Sequence, residues 1–492
     1  MDKLASTLLA FPPEANLSKA AKSDNVRYDV EVRHHVGKLS KIIKDHKADL
    51  IAFGPQFLEL LNPAVNSLSY LAVLHTLILP SIAASVPHDI ILEKLVLFLM
   101  KYDAQQCRYA RNHLLEVLFV VGNGRCLPPS VAVEVLATAI LRLDPTGSML
   151  TSSHILLAKL AYNTNNIDPA LQVIDKQIVF FPGMANYTEP SLLCDLTLSP
   201  PAYIMRETGL TGPLKSSSVM EYDLLCSMMY CSKRDWAKAY AALERVVAYP
   251  TREGACSKIM VEAYNKWVLV SLLLHGKLGE SKAHTGSTAY KLYGNFGKPY
   301  VAVAVLFTTD DADALKAEVE KNAQQWDEDG NTGLMKEVLA SYQKWRIIGL
   351  EQIYSKVSLT EIRQQTKSAE TGQILEREEE IEILIQDMII SGMLNGVIEK
   401  DVNGTTSLTF LPTTTQLSEQ EFAKELAAIA AQIKRLHPIF NTTKERLGAS
   451  NEYIKHMIKE EKRNDKNDAD PTLAFDTQVD DEDLMGGVVA TG

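Results

Sequence analysis

Eleven histidines and six cysteines are the side chains of this 492-residue chain best suited to hold a metal or attack a substrate. A zinc hydrolase needs histidines spaced to share one face, as in His-x-His or the i, i+4 pair of His-Glu-x-x-His. Neither spacing occurs. His34 and His35 are adjacent and cannot form such a pair, and the other histidines are scattered. Cys107, Cys126, Cys194, Cys226, Cys231 and Cys256 make no Cys-x-x-Cys pair, and none has a histidine at metal-ligand spacing. That usage predicts no disulfide framework and a reducing compartment. A phosphate loop needs Gly-Lys followed by Ser or Thr, but Gly297-Lys298 is followed by Pro299. "GNGRC", from Gly122 to Cys126, lacks the third glycine of a dinucleotide loop and follows a helical stretch, so it reads as a turn. No Gly-x-Ser-x-Gly elbow is present. The expectation is a chain with no catalytic, metal or cofactor site and no small-molecule ligand.

A chain of this length exceeds one hydrophobic core, and two to four domains are expected. Its 46% apolar and 23% charged residues are ordinary for a globular protein. A formal charge of −11 argues against nucleic-acid binding. The charge is uneven, because residues 464–492 hold eight Asp or Glu and one Lys. "MDKLASTLLAFPPEA" has too short an apolar core for a signal peptide. The most apolar stretch, Leu71 to Met100, is broken by Pro80, Pro87, Asp89, Glu93 and Lys94. It predicts a buried helix pair, not a membrane span. Cytoplasm and nucleus are the expected locations.

Periodicity before residue 350 is helical. "EVRHHVGKLSKIIKDHK" places Val32, Val36, Leu39 and Ile43 on one stripe, and no stretch before the hairpin alternates well enough to predict a strand. Two segments look like copies of one unit: "YNTNNIDPALQVIDKQIVFFP", ending at Pro182, and "YCSKRDWAKAYAALERVVAYP", ending at Pro250. Their offset of 68 residues is twice the ~34-residue tetratricopeptide period. Helix pairs of this kind bury their stripes only by stacking, so a right-handed, mostly α helical-repeat solenoid is predicted. The expected divisions are helical repeats over 1–185, an irregular Pro/Ser/Thr-rich insertion over 186–218, and further repeats over 219–349. A winged-helix part follows over 350–412, then C-terminal helices over 413–463 and a disordered acidic tail over 464–492.

After residue 350 the pattern changes. "SLTEIRQQT" predicts a short capped helix. "AETGQILEREEEIEILIQDMIISGML" predicts a longer one, with Ile374, Ile381, Leu384, Ile385 and Met388 facing inward. A hairpin follows, turned by Asn403-Gly404 in a type I′ turn. Helix, helix, strand, turn, strand is the winged-helix order. Ser418 and Glu421 form a capping box, and Phe422, Leu426, Ile429, Ile433 and Leu436 then make a heptad seam that Pro438 is expected to interrupt. A second helix is expected from Asn451 to Lys462, with Ile454, Met457 and Ile458 on one face.

The helix before a DNA-reading wing must face phosphates, which needs Lys or Arg. Here Glu370 to Asp387 carries seven acidic residues against Arg377, and the wing offers only Lys400 between Glu399 and Asp401. The shape lacks the charge, so protein partners are expected instead. The outer hairpin strand would offer unpaired N–H and C=O groups to another chain. The candidate interface residues are Val397, Ile398, Val402, Leu408 and Phe410 of the hairpin, with Phe422, Leu426, Ile429, Ile433 and Leu436 of the terminal helix. The basic helix from Arg33 to Lys47 is either a solvated face or a dock for an acidic neighbour. The acidic tail is either a solubilising end or a contact for a basic surface.

Helical solenoid, winged helix and trailing helix together resemble the PCI-domain proteins of the proteasome lid, the COP-9 signalosome and a translation initiation factor. Within that group "SKIMVEAYNKWVLVSLLLHGK" (Ser257 to Lys277), "EDGNTGLMKEVLASYQKWRI" (Glu328 to Ile347) and the run from "SLTEI" through "MIISGMLNGVIEKDVNGTTSLTF" are similar to the family of signalosome third subunits. The resemblance implies a non-catalytic scaffold in a complex that removes the ubiquitin-like modifier NEDD8 from cullins of cullin-RING ubiquitin ligases. It further implies that the zinc isopeptidase site, a His-x-His with a downstream Asp, lies on another subunit. It implies as well that wings join edge to edge while terminal helices gather in one bundle. The rival readings are a scaffold of the proteasome lid or the initiation factor, or a PCI adaptor for nucleic acid.

Overall fold

The computed structural model describes residues 2–13, 25–84, 89–124, 126–182, 192–250, 256–279, 287–400, 405–411, 419–448 and 453–458. Residues up to Pro412 form one compact unit, and those from Thr413 form a second. The first unit opens with α1 (Asp2–Leu9), α2 (Asn25–Asp45), α3 (Lys47–Leu60), α4 (Ser67–Ala84), α5 (Asp89–Lys101), α6 (Ala104–Cys107), α7 (Asn112–Gly122) and α8 (Pro129–Leu143). Next come α9 (Ser152–Asn163), α10 (Asp168–Ile174), α11 (Pro200–Tyr203), α12 (Ser216–Ser232), α13 (Trp236–Val247) and α14 (Lys258–His275). The series closes with α15 (Ser287–Phe296), α16 (Lys298–Phe307), α17 (Ala312–Lys321), α18 (Ala323–Glu328) and α19 (Thr332–Leu350). Packing is mostly between near neighbours in sequence: α3 on α4, α8 on α9 and α10, α12 on α13, α13 on α14, α16 on α17. That locality is the signature of stacked helical repeats. No helix among the described residues is long and apolar enough to cross a membrane.

The two similar segments fall on α9–α10 and α12–α13, each joined by a tight turn with one residue in the left-handed region, Asn165 or Arg234. The copies differ in their second helix. α10 stops at Ile174, and Phe180 beyond it forms a single parallel bridge with Met149, so "QIVFF" is not helical. α13 instead runs to Val247, capped by Asp235, whose side chain accepts from the Lys238 N–H. α14 sits at the middle of the stack and is buried around its whole circumference from Ala263 to Leu273. Ser257 caps its start, and Gly276 ends it with φ +68°, where a Cβ would also strike the Trp345 ring. The described part of the insertion, 192–218, is irregular apart from α11 and its last three residues, which begin α12, and it is firmly docked. Leu193, Cys194, Tyr203 and Ile204 are buried, and Arg108 donates to the carbonyls of Leu193 and Asp195 while stacking on Tyr203.

The chain from residue 356 builds β1 (Lys356–Ser358), α20 (Leu359–Gln365), α21 (Glu378–Ile390), β2 (Gly396–Lys400) and β3 (Thr406–Phe410). The strands form an antiparallel sheet in the order β1-β3-β2, with Val357 opposite Leu408 and Ile398 opposite Leu408. Its core gathers Val357, Leu359, Ile362, Ile381, Ile385, Met388, Leu408 and Phe410 with Ile347 and Leu350 of α19. α19 is therefore shared: Met335, Val338 and Tyr342 of its first half belong to the solenoid core. One continuous helix thus couples wing to solenoid. Three expectations change here. β1 is a strand that "KVS" did not announce, because three residues are too short to show a period. α21 starts at Glu378, so Ile374 lies outside it and is exposed, and Leu375 packs inward instead. Glu370 and Glu376 accordingly precede the helix. The Asn403-Gly404 turn and the Ser418 cap lie outside the described residues.

In the second unit α22 (Glu419–Gly448) runs for 30 residues. It does not stop at Pro438, as expected from sequence, but continues to Gly448. A proline inside a helix removes one hydrogen bond and bends the rod, which does not by itself end it. Residues 453–458 form a further helical stretch.

Two buried histidines make the helical repeats sensitive to acid. His35 stacks on Phe11 and bonds Ser69 Oγ at 2.9 Å; burial, then Lys38 and His34, lower its pKa to about 4. His154, in the first turn of α9, accepts from the Thr151 N–H at 3.2 Å through Nδ1, and burial lowers its pKa to about 4. Protonating that nitrogen would break the cap and place a cation at a helix N-terminus. Each folded pKa lies below the unfolded value of about 6.5, so the stabilisation is full above pH 6.5 and lost as pH falls toward 4. Between pH 7 and pH 5 each histidine should cost roughly 2 kcal/mol. Urea unfolding at both pH values checks this, and His154→Gln, which keeps an acceptor but cannot titrate, should remove its share of the difference.

Candidate protein interface

The wing presents two faces. On the inner face Ile398 is half-buried, and Leu408 and Phe410 lie at 0% and 7% exposure in the module's own core. This corrects the expectation for Leu408 and Phe410. β3 is the central strand, so its side chains and both its edges are already used, and neither residue can meet another protein. Val397 points the other way and is exposed; Val402 lies outside the described residues. β2 is an edge strand. Among the described residues it pairs with β3 alone, through the register Gly396 to Lys400 against Phe410 to Thr406, and its far edge meets no strand. Such an edge is a template for a further strand.

The electrostatics of the module oppose phosphate. α21 carries Glu378, Glu379, Glu380, Glu382 and Asp387, preceded only by Arg377. The two lysines of the sheet sit beside carboxylates: Lys356 Nζ lies 2.8 Å from Glu399, and Lys400 Nζ lies 3.8 Å from Glu382. The ammonium of Lys356 and the Thr409 hydroxyl hold the Glu399 carboxyl below its usual range. A duplex would meet a surface with no net cation to exchange for its counterions.

α22 shows the opposite character. Phe422, Leu426, Ile429 and Ile433 are 56%, 58%, 55% and 61% exposed, and Leu436 is half-buried. Phe440, also exposed, extends the 4, 3, 4, 3 spacing by one more step. Sequence reading missed it because Pro438 was taken as the end of the seam. A stripe of large apolar side chains over five helical turns is far more than scattered surface hydrophobics, and is the kind of face that helix association covers. Ile454, Met457 and Ile458 of the last helical stretch are likewise exposed. Sequence reading also missed Ile383 and Ile390 of α21, which lie seven residues apart on one face and are exposed, Ile390 at 84%. Their signal was present: both fall off the buried Ile381, Ile385, Met388 stripe. The basic stretch from Arg33 to Lys47 is not one helix as expected, since α2 ends at Asp45 and Lys47 opens α3, and Arg33 itself pairs with buried Asp29 at 2.8 Å. Among the described residues no group of His, Cys, Asp and Glu is arranged to hold a metal ion.

Residues 33–286 match the profile described as COP9 signalosome complex subunit 3, N-terminal helical repeats. The chain is also 40% identical over 464 residues to a protein of Neurospora crassa named COP9 signalosome complex subunit 3, covering 93% of this chain and 92% of that one. The chain belongs to the COP9 signalosome subunit 3 family. A protein of the same name from Emericella nidulans is 29% identical over 450 residues, covering 87% of this chain and 89% of that one. The profile ends well before the wing, so the likeness of the wing and α22 to the COP9 signalosome subunit 3 family rests on the full-length relatives. The family name denotes a component of a complex and no reaction, in keeping with the missing catalytic motifs.

Proposed function

We propose that this chain is a non-catalytic scaffold subunit of a COP9 signalosome, the complex that removes NEDD8 from cullins of cullin-RING ubiquitin ligases. It holds neighbouring subunits through the free edge of β2 and the apolar stripe of α22, and the catalytic zinc site lies on another subunit. Cullin-RING ligases are the clients of the assembly, in cytoplasm and nucleus. The carrying observation is the stripe itself: six heptad-spaced side chains, five of them open to solvent, on a helix that could otherwise have been polar. An amphipathic helix is stable only when that face is covered, and a helical bundle with partner chains covers it. Affinity purification of the full-length chain, followed by mass spectrometry, tests the reading. Signalosome subunits and cullin-deneddylating activity should co-purify. Recovery of proteasome-lid or initiation-factor subunits in their place would refute it, as would recovery of RNA lost at high salt.

A further inference from the structure

A cleft of about 640 Å³ lies between α2, the link from α6 to α7, and the insertion. Arg33, Arg108 and Arg111 line it, with Glu207 as the one carboxylate on its wall. Arg33 is matched by Asp29, which also accepts from the Tyr109 hydroxyl at 2.5 Å. The other two are unmatched. Arg111, at the N-cap of α7, is exposed and makes no ion pair among the described residues. Arg108 is 7% exposed, and its Nη1 donates to the carbonyls of Leu193 and Asp195; among the described residues no carboxylate pairs with it. A buried cation without a counter-ion sets up a field that water screens poorly, and that field acts on an anion without contact. A second observation is independent of charge. Gly37 lies inside α2, one turn after Arg33, and lines the same cleft. Glycine weakens a helix interior relative to alanine. No packing among the described residues asks for it, because a Cβ built there would meet no atom within 4 Å. The bare backbone of α2 is thus open to close approach beside the arginines.

We infer that this cleft binds an acidic segment of another polypeptide, with a carboxylate on Arg111 in the field of Arg108 and main chain against Gly37. With Arg33 matched, two guanidinium groups stand against Glu207 alone, and the surplus is positive. A carboxylate balances that surplus and suits the planar guanidinium fork. A phosphate dianion would exceed it and meet Glu207. A free ion has no use for the gap at Gly37, whereas two backbones approach closely only where no Cβ stands between them. The cleft belongs to the helical repeats, and the proposal asks nothing of β2 or α22.

The test uses the full-length chain and a fluorescein-labelled Gly-Glu-Gly-Glu-Gly amide, read by anisotropy at low salt. The glutamine counterpart, which keeps shape and loses charge, should bind about tenfold more weakly. Arg111→Glu should weaken binding about tenfold at an unchanged melting temperature. Gly37→Leu should also weaken it about tenfold while raising the melting temperature, because leucine is the better helix former. A purely structural role for Gly37 would not give that pair of results. Glu207→Gln should tighten binding about threefold, which keeps the test decisive if another variant fails to fold. Equal binding of the glutamine peptide, no saturation at millimolar peptide, or indifference to Gly37→Leu would overturn the proposal. So would a phosphoserine counterpart that binds more than about tenfold tighter than the glutamate peptide, which would assign the cleft to phosphate.

Discussion

Replacing Leu426 and Ile433 with Asp should abolish recovery of partner subunits while leaving the melting temperature of the isolated chain unchanged. The asymmetry follows from exposure. In the free chain both side chains are more than half exposed, so the new carboxylates stay hydrated and the fold is not taxed. In an assembled bundle the same positions become core, and an unpaired carboxylate there costs about 3 kcal/mol or more. Two such groups correspond to a loss of roughly four orders of magnitude in association. Truncation after Pro412 should give the same result, because it removes the second unit as a whole. Size-exclusion and pull-down of both variants read the outcome. Full recovery of the partners with either one would show that α22 is not the contact. The edge of β2 would then have to account for assembly alone.

Asn331→Leu should be the most damaging single change in the solenoid. Asn331 is fully buried, and its Oδ1 accepts from the Lys266 ammonium at 2.8 Å while its Nδ2 donates to the Tyr300 hydroxyl at 2.7 Å. Tyr300 in turn donates to Asp329 at 2.6 Å. Lys266 is 4% exposed, so removing the amide leaves a buried ammonium with only the half-exposed Glu262 beside it. Leaving a buried charged group without its hydrogen bond typically costs about 3 kcal/mol. Lys266→Met removes the charge as well as the bond and should cost less. The double variant should be more stable than Asn331→Leu alone, a coupling that a double-mutant cycle in urea would measure. A strictly additive cycle would mean that the two side chains stabilise the stack independently.

The residues that show what was legible are those whose partners are near in sequence. Val32, Leu39, Ile381, Ile385 and Met388 are buried as their spacing predicts, because a helix brings i, i+3 and i+4 together whatever surrounds it. The same local rule drew the wing and the seam of α22. Where the rule failed, a partner far along the chain had decided. β1 exists because Lys356 to Ser358 lie against Thr409 to Ser407, and Leu408 and Phe410 went inward because α20 and α21 cover that face of the sheet.

Sequence by itself determined that this chain is a stack of amphipathic helices ending in an acidic winged helix and an apolar-striped rod, because periodicity and charge are properties of neighbouring residues. Only the tertiary structure decided that one helix serves two cores, that Lys266 finds Asn331 across 65 residues, and that Arg33 shares one cleft with Arg108 and Arg111. Those meetings depend on how helices stack, and burial energy selects the stacking over the whole molecule at once.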